Sequence, residues 1–175
     1  MSGLQNSNVL LSLYQDKRSV FRLSDVAMLT QESSRSSLGK KLNYYVKTGK
    51  LGNPRKGIYV KPGYNPEELA CRLYTPSYIS FEYVLSRAGV IFQYGASITV
   101  VSYLSRTISI ENNEYAYRKL KDAYLLNTSG INRRDSGVNL ATPERALLDL
   151  LYLNPDYYFD NLNVIDQEKI RYLLE

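Results

Sequence analysis

The sequence contains no histidine and a single cysteine, Cys71. Without an imidazole, every catalytic scheme with a histidine base and every histidine-containing metal site is excluded. One cysteine excludes an intramolecular disulfide and a cysteine-based metal cluster, and it favours a reducing compartment over an oxidising one. We therefore expect no metal and no other cofactor, and we interpret Cys71 as a packed side chain rather than a nucleophile.

The sequence also lacks long apolar runs. The longest ones, at residues 146–148 and 150–153, are far too short to cross a bilayer. Residues 1–6 have neither the basic region nor the apolar region of an export signal. We therefore expect a cytoplasmic protein without a membrane partner. The 175 residues, 44% apolar and 22% charged, are typical of one mid-sized globular domain or two small ones.

Acidic residues are scarce in one part of the chain. Residues 1–64 carry 11 Lys or Arg against 3 Asp or Glu, a net charge of +8, whereas residues 65–175 carry 11 against 14, a net charge of −3. A compact basic segment favours a polyanion-binding module, and the alternative is a solvated cationic surface. Prolines and a glycine at residues 62–66 interrupt regular structure. We therefore predict two domains, residues 1–64 and 65–175.

Three helices are predicted in the basic segment. Apolar residues recur at helical spacing over residues 6–15 and again after Ser24, which we predict as the N-cap of the second helix. The third helix is predicted over residues 35–48, and Gly49 is the glycine that ends it. Its inward side chains are predicted to be Leu38, Leu42 and Tyr45.

A hairpin is predicted after the third helix. Residues 53–57 predict a turn bracketed by proline and glycine, with Arg55 and Lys56 at its tip. The β-branched and aromatic residues 58–61 predict the returning strand. Three helices followed by such a hairpin are typical of a winged helix-turn-helix domain.

The outward face of the third helix is polar and cationic, with Glu32 as the only nearby acid. A helix fits the major groove of DNA, where Asn43 can pair with adenine and Lys40 or Lys47 can reach guanine or phosphate. Residues at the helix start and at the hairpin tip suit phosphate oxygens. The predicted DNA-binding residues are Arg35, Ser36, Ser37, Lys40, Asn43, Tyr44, Lys47, Arg55 and Lys56.

Residues 65–175 predict a mixed α/β domain with a small antiparallel sheet, so the chain as a whole is predicted to be α+β. Helices are predicted to begin at Asn65, Pro76, Thr142 and Asp166, and strands are predicted at residues 97–104, 107–110, 115–118, 124–126 and 138–140. No motif of nucleophilic, acid–base or phosphate-loop chemistry is visible. Arg145 and Asp149, four residues apart, predict a helix ion pair rather than a catalytic dyad.

Several segments resemble the AbiEi antitoxins of type IV toxin–antitoxin systems, which serve in abortive infection and phage defence. They are residues 76–86, the hairpin at 106–118, and residues 141–149, whose sequence ATPERALLD is the most specific of them. The predicted N-terminal winged helix, with its exit strand at residues 57–59, is similar to the winged helix of that family. The resemblance covers about residues 8–160.

This resemblance implies a protein with two functional parts. In the family, the N-terminal winged helix binds inverted repeats in the promoter of its own operon and represses transcription. The C-terminal domain counters a toxin of the nucleotidyltransferase type, without requiring a stable complex. By this resemblance the third helix and the hairpin occupy the DNA-reading positions, and no catalytic residue is carried over. Inverted repeats also imply two copies on the DNA, either pre-assembled or paired there.

Three interpretations of the function follow. The leading one is a DNA-binding autorepressor and antitoxin without enzymatic activity. The alternative is a winged-helix adaptor for protein interactions, whose basic helix docks an acidic partner and reads no DNA sequence. The third is an enzyme acting on nucleic acid or nucleotides, which the missing histidine and the lack of a metal-ligand cluster disfavour.

Overall fold

A computed structural model describes residues 8–93 and 95–175 of the chain. This part of the chain is mixed α/β, with helices packed around two separate sheets. The first helix was predicted to begin at residue 6, and residues 6 and 7 lie outside the described residues. None of the described helices is long and apolar enough to span a bilayer.

Residues 8–60 form three helices and a three-stranded antiparallel sheet. In chain order the elements are α1 (Val9–Gln15), β1 (Val20–Arg22), α2 (Leu23–Thr30), α3 (Arg35–Lys47), β2 (Gly52–Arg55) and β3 (Ile58–Val60). Strand β3 lies in the centre of the sheet, between β1 and β2. A core cluster that includes Leu13, Phe21, Leu38 and Leu42 is fully buried beneath these elements. Each such side chain stabilises the packing by about 1.5–3 kcal/mol.

Local signals fix both ends of α3. The Ser34 hydroxyl accepts the Ser37 backbone N–H at 3.2 Å, which satisfies one of the open donors of the first turn. At the other end, Gly49 adopts a φ of +72°, a conformation that suits glycine after a helix. The predicted third helix over residues 35–48 is therefore confirmed to within one residue.

Two predicted details of residues 1–64 were wrong. Helix α2 begins at Leu23, so Ser24 lies inside its first turn instead of capping it, because the Asp25 carboxylate accepts the Arg22 backbone N–H at 2.8 Å. The turn of the hairpin spans only Lys56 and Gly57. Residues 53–55, expected in the turn, belong to β2, where the side-chain amide of Asn53 donates to two backbone carbonyls of the hairpin.

Residues 65–175 contain a six-stranded sheet and five helices among the described residues. The elements are α4 (Pro66–Leu73), β4 (Ser77–Ile79), α5 (Glu82–Arg87), β5 (Ser97–Ser102), β6 (Arg106–Ile110), β7 (Asn113–Lys119), α6 (Asp122–Leu126), β8 (Ile131–Arg133), β9 (Asn139–Ala141), α7 (Pro143–Leu153) and α8 (Gln167–Leu174). The strand order is β6-β7-β5-β4-β9-β8. The expectation of a small antiparallel sheet was wrong, since β5–β7 and β4–β9 pair in parallel.

Tertiary pairing overrode the sequence pattern in three segments of this part. Residues 77–79, expected to be helical, form the central strand β4, buried throughout and paired with β5 and β9. Residues 124–126, expected as a strand, lie in α6, and residues 131–133, where no strand was predicted, form β8. Short apolar runs fit a helix or a buried strand equally well, so only the pairing partners decide.

The division into domains 1–64 and 65–175 stays a prediction, because the two parts share a packed boundary. Val20, Ile58 and Val60, from β1 and β3, belong to the large core formed mainly by residues 65–175. At this boundary one oxygen of the buried Glu68 carboxylate accepts the backbone N–H groups of Ser19 at 2.6 Å and Val20 at 3.1 Å.

Replacing Glu68 by alanine is expected to lower the free energy of unfolding by about 3 kcal/mol, because two N–H groups at the boundary lose their acceptor. Glu68→Gln keeps an acceptor oxygen and is expected to cost about 1 kcal/mol. Urea unfolding followed by circular dichroism measures both variants. Equal losses for the two would contradict the role given to this oxygen.

Cys71 lies on α4 with only 4% of its surface exposed. Burial raises the pKa of its thiol to about 11, so the reactive thiolate is rare at neutral pH. We expect the folded protein to react with iodoacetamide at pH 8 at least about a hundredfold more slowly than the urea-unfolded chain. Mass spectrometry of the alkylated chain measures both rates, and Cys71→Ser controls for labelling elsewhere. Similar rates would contradict the buried, inert thiol.

Candidate nucleic-acid interface

The outward face of α3 is open to solvent. Ser36, Lys40, Asn43, Tyr44 and Lys47 are all exposed, whereas Ser37 is half-buried at the first turn. Tyr44 has 59% of its surface exposed, so its ring is open to solvent on this side of the helix. The face therefore offers two lysines, an amide and an aromatic ring along one side of the helix.

The lysines of α3 differ in their pairing. Lys41, on the flank of the helix, donates to the Glu32 carboxylate at 2.9 Å, and this bond holds the pKa of Glu32 below its ordinary value. Lys40 and Lys47 have no ion pair or hydrogen bond with any described side chain. Glu32 therefore neutralises a lysine beside the outward face, and Lys40 and Lys47 keep the face positive.

Further positive charge lines a cleft of about 380 Å³ that lies beside the first residue of α3. We name it the α3 cleft, because Arg35 at the start of α3 forms one of its walls. The other walls come from the start of α2, the β2–β3 turn and the end of α4. Its lining contains five cationic side chains and no acidic one: Arg22, Arg35, Arg55, Lys56 and Arg72.

Two arginines of the α3 cleft are held in place by neighbouring groups. The Arg22 guanidinium donates twice to the Arg72 carbonyl oxygen, at 2.5 and 3.0 Å, and once to the Thr75 hydroxyl. The guanidinium of Arg55 lies 4.9 Å from the centre of the Tyr74 ring, within cation–π range. Arginines that are already positioned lose little conformational entropy when they bind an anion.

The structure brings the sequence-predicted residues together in two adjoining places. Ser36, Ser37, Lys40, Asn43, Tyr44 and Lys47 lie along α3, and Arg35, Arg55 and Lys56 line the α3 cleft. The sequence analysis missed Arg22 and Arg72, which complete the cleft. Arg22 ends a strand and Arg72 lies near the end of a helix, so their positive charge was the only signal.

Arg145 and Asp149 form the helix ion pair that their spacing predicts. Its Nε–Oδ1 distance is 3.0 Å, and both side chains are almost fully buried within α7 and its neighbours. Ser80 donates to the second oxygen of Asp149 at 2.7 Å, and burial still holds the pKa of Asp149 above its ordinary value. Among the described residues, no three Cys, Asp or Glu side chains are grouped as a metal site requires.

No family model matches the chain, and the search of curated proteins finds no match either.

Proposed function

We propose that residues 8–60 are a winged helix that binds duplex DNA, with α3 as its recognition helix and the β2–β3 turn as its wing. The order of elements supports this, because three helices precede a hairpin whose inner strand pairs with β1. The open cationic face of α3, continuous with the α3 cleft, is the observation that carries the proposal.

The chemistry of this surface suits DNA better than a neutral partner. Lys40 and Lys47 can reach phosphates or guanine acceptors, and the exposed amide of Asn43 can pair with the edge of adenine. Arg35 and Arg55 of the α3 cleft suit backbone phosphates, because a guanidinium can present two parallel donors. Phosphate contacts position the protein, and the base contacts of α3 supply any sequence preference.

We further propose that this duplex is the promoter of its own operon, and that the protein is both a repressor and an antitoxin. The likeness of residues 76–86 and 141–149 to AbiEi antitoxins supports this part. On that reading the partner is a nucleotidyltransferase-type toxin, and two copies of the chain bind an inverted repeat.

Fluorescence anisotropy with two labelled duplexes of equal length tests the proposal. One duplex carries the sequence upstream of the gene, and the other carries the same bases in shuffled order. We expect at least about a thousandfold preference for the upstream duplex, within the range typical of specific DNA-binding proteins. Absence of duplex binding, together with stoichiometric co-purification of an acidic protein, would instead support the adaptor.

A further inference from the structure

A second cleft, of about 420 Å³, lies on the other side of Arg22 and Arg72. We name it the β8 cleft, because β8 and the turn that follows it form one wall. The end of α4, the start of β4 and the residues around α6 form the remaining walls. Its lining also contains several cations and no acidic side chain: Arg22, Arg72, Arg133 and Arg134.

Two of these arginines are placed by their neighbours. Gly137, in the turn between β8 and β9, has a φ of +86°, and a Cβ there would stand 2.9 Å from Nη2 of Arg72. The glycine thus lets the turn close against this guanidinium. Arg72 also faces Asp25 at 3.5 Å, and Arg134 faces Glu67 at 3.2 Å.

The Arg133 side chain remains available for a ligand. It is exposed and makes no side-chain hydrogen bond or ion pair with any described residue. The guanidinium groups of Arg22, Arg72 and Arg134 are already held by partners and add positive charge to the same cleft.

The rest of the cleft is unlike a simple phosphate-contact surface. Pro76, Leu125 and Ile131 provide apolar lining, and the hydroxyl-bearing Thr128 and the amide-bearing Asn139 provide hydrogen-bonding groups. A recessed volume with apolar walls and a few convergent polar groups is typical of a small-molecule site. The backbone of a duplex would use the arginines alone and leave this apolar lining without a role.

We propose that the β8 cleft binds a free nucleoside di- or triphosphate. Arg133 binds the phosphates, the positive charge of Arg22 and Arg72 attracts them, and the apolar lining contacts the base or the sugar. The β8 cleft adjoins the α3 cleft, with which it shares Arg22 and Arg72, and its test with free nucleotides uses no duplex DNA.

Isothermal titration calorimetry of the full chain with ATP, GTP, CTP, UTP and pyrophosphate tests this site. At least one nucleotide is expected to bind with a stoichiometry of one, and at least about tenfold more tightly than pyrophosphate, because only the nucleotide contacts the apolar lining. Arg133→Ala is expected to weaken that binding about tenfold, through loss of a charged hydrogen bond.

Arg106→Ala is the matched control for Arg133→Ala. Arg106 is also exposed and unpaired among the described residues, and it lies on β6, at the opposite edge of the same sheet. Arg106→Ala should leave nucleotide binding unchanged. Three outcomes would overturn the proposal: no binding of any nucleotide, equal weak binding of pyrophosphate and nucleotides, or Arg133-dependent binding of an oligonucleotide alone.

Discussion

Replacing Arg145 by methionine is expected to lower the free energy of unfolding by about 4 kcal/mol. Its guanidinium is buried and donates to Asp149, to the Tyr78 hydroxyl, and to three backbone carbonyls, at distances of 2.7–3.1 Å. Methionine fills a similar volume but leaves the Asp149 carboxylate buried, with the neutral hydroxyls of Ser80 and Tyr78 as its partners and no cation beside it. Removing one partner of a buried ion pair is among the most destabilising single changes.

The loss of unfolding free energy in Arg145→Met is expected to depend on pH. Burial already raises the pKa of Asp149 in the folded protein, and without Arg145 nothing cationic opposes that shift. A group with a raised folded pKa favours folding when it is protonated, so stability falls as the pH rises through that pKa. The variant should therefore be closest to the wild type at acidic pH and furthest from it at neutral pH.

Urea unfolding at pH 5 and pH 7, followed by circular dichroism, measures the loss of stability in Arg145→Met and its dependence on pH. Arg171→Met is the control, because Arg171 and its partner Glu168 are largely exposed, at a distance of 3.3 Å. An exposed pair of this kind contributes between 0 and about 1 kcal/mol. A loss in Arg145→Met as small as the loss in the control would contradict the structural role of the buried pair.

Reversing the charge of Lys40 and Lys47 together is expected to weaken duplex binding at least about a hundredfold at 0.1 M salt. Both side chains are exposed on α3 and lack partners among the described residues, so Lys40→Glu with Lys47→Glu should leave the fold intact. Each change removes a phosphate or base contact and adds a charge that repels the DNA backbone. Fluorescence anisotropy with the upstream duplex measures the change.

The matched control is Lys169→Glu with Arg171→Glu on α8, which alters the net charge by the same amount. Helix α8 packs against α7, in the part of the chain that follows residue 64. This control variant is expected to lose only a little affinity for the duplex, because its long-range attraction to the DNA is weaker. Equal losses in the two double variants would mean that total charge, not the face of α3, governs binding.

Elements with strong local signals could be predicted from the sequence. Helix α3 carries a serine cap, an apolar stripe and a terminal glycine, and all three act within one segment of the chain. Helix α7 likewise begins at Thr142 and Pro143, as its capping residues indicate. The hairpin of β6 and β7 was also found, since alternation and a polar turn are local properties.

Elements that depend on distant partners could not be predicted. Strand β4 is central only because β5 and β9 pair with its two sides, and β9 follows it by about sixty residues. Only part of the α3 cleft could be predicted from the sequence, for the same reason. Arg35 and Lys56 belong to the segment that predicted DNA binding, whereas Arg72 joins them only when α4 packs against β1.

The salt dependence of duplex binding tests the central claim most directly. Each phosphate neutralised by a lysine or arginine releases counterions, so the logarithm of the affinity falls linearly with the logarithm of the salt concentration. Several cationic contacts from α3 and the α3 cleft predict a slope of about −5, reduced in magnitude by about 2 in the Lys40→Glu, Lys47→Glu variant. An affinity that does not change with salt, or a slope that is the same in that variant, would contradict DNA binding through this surface.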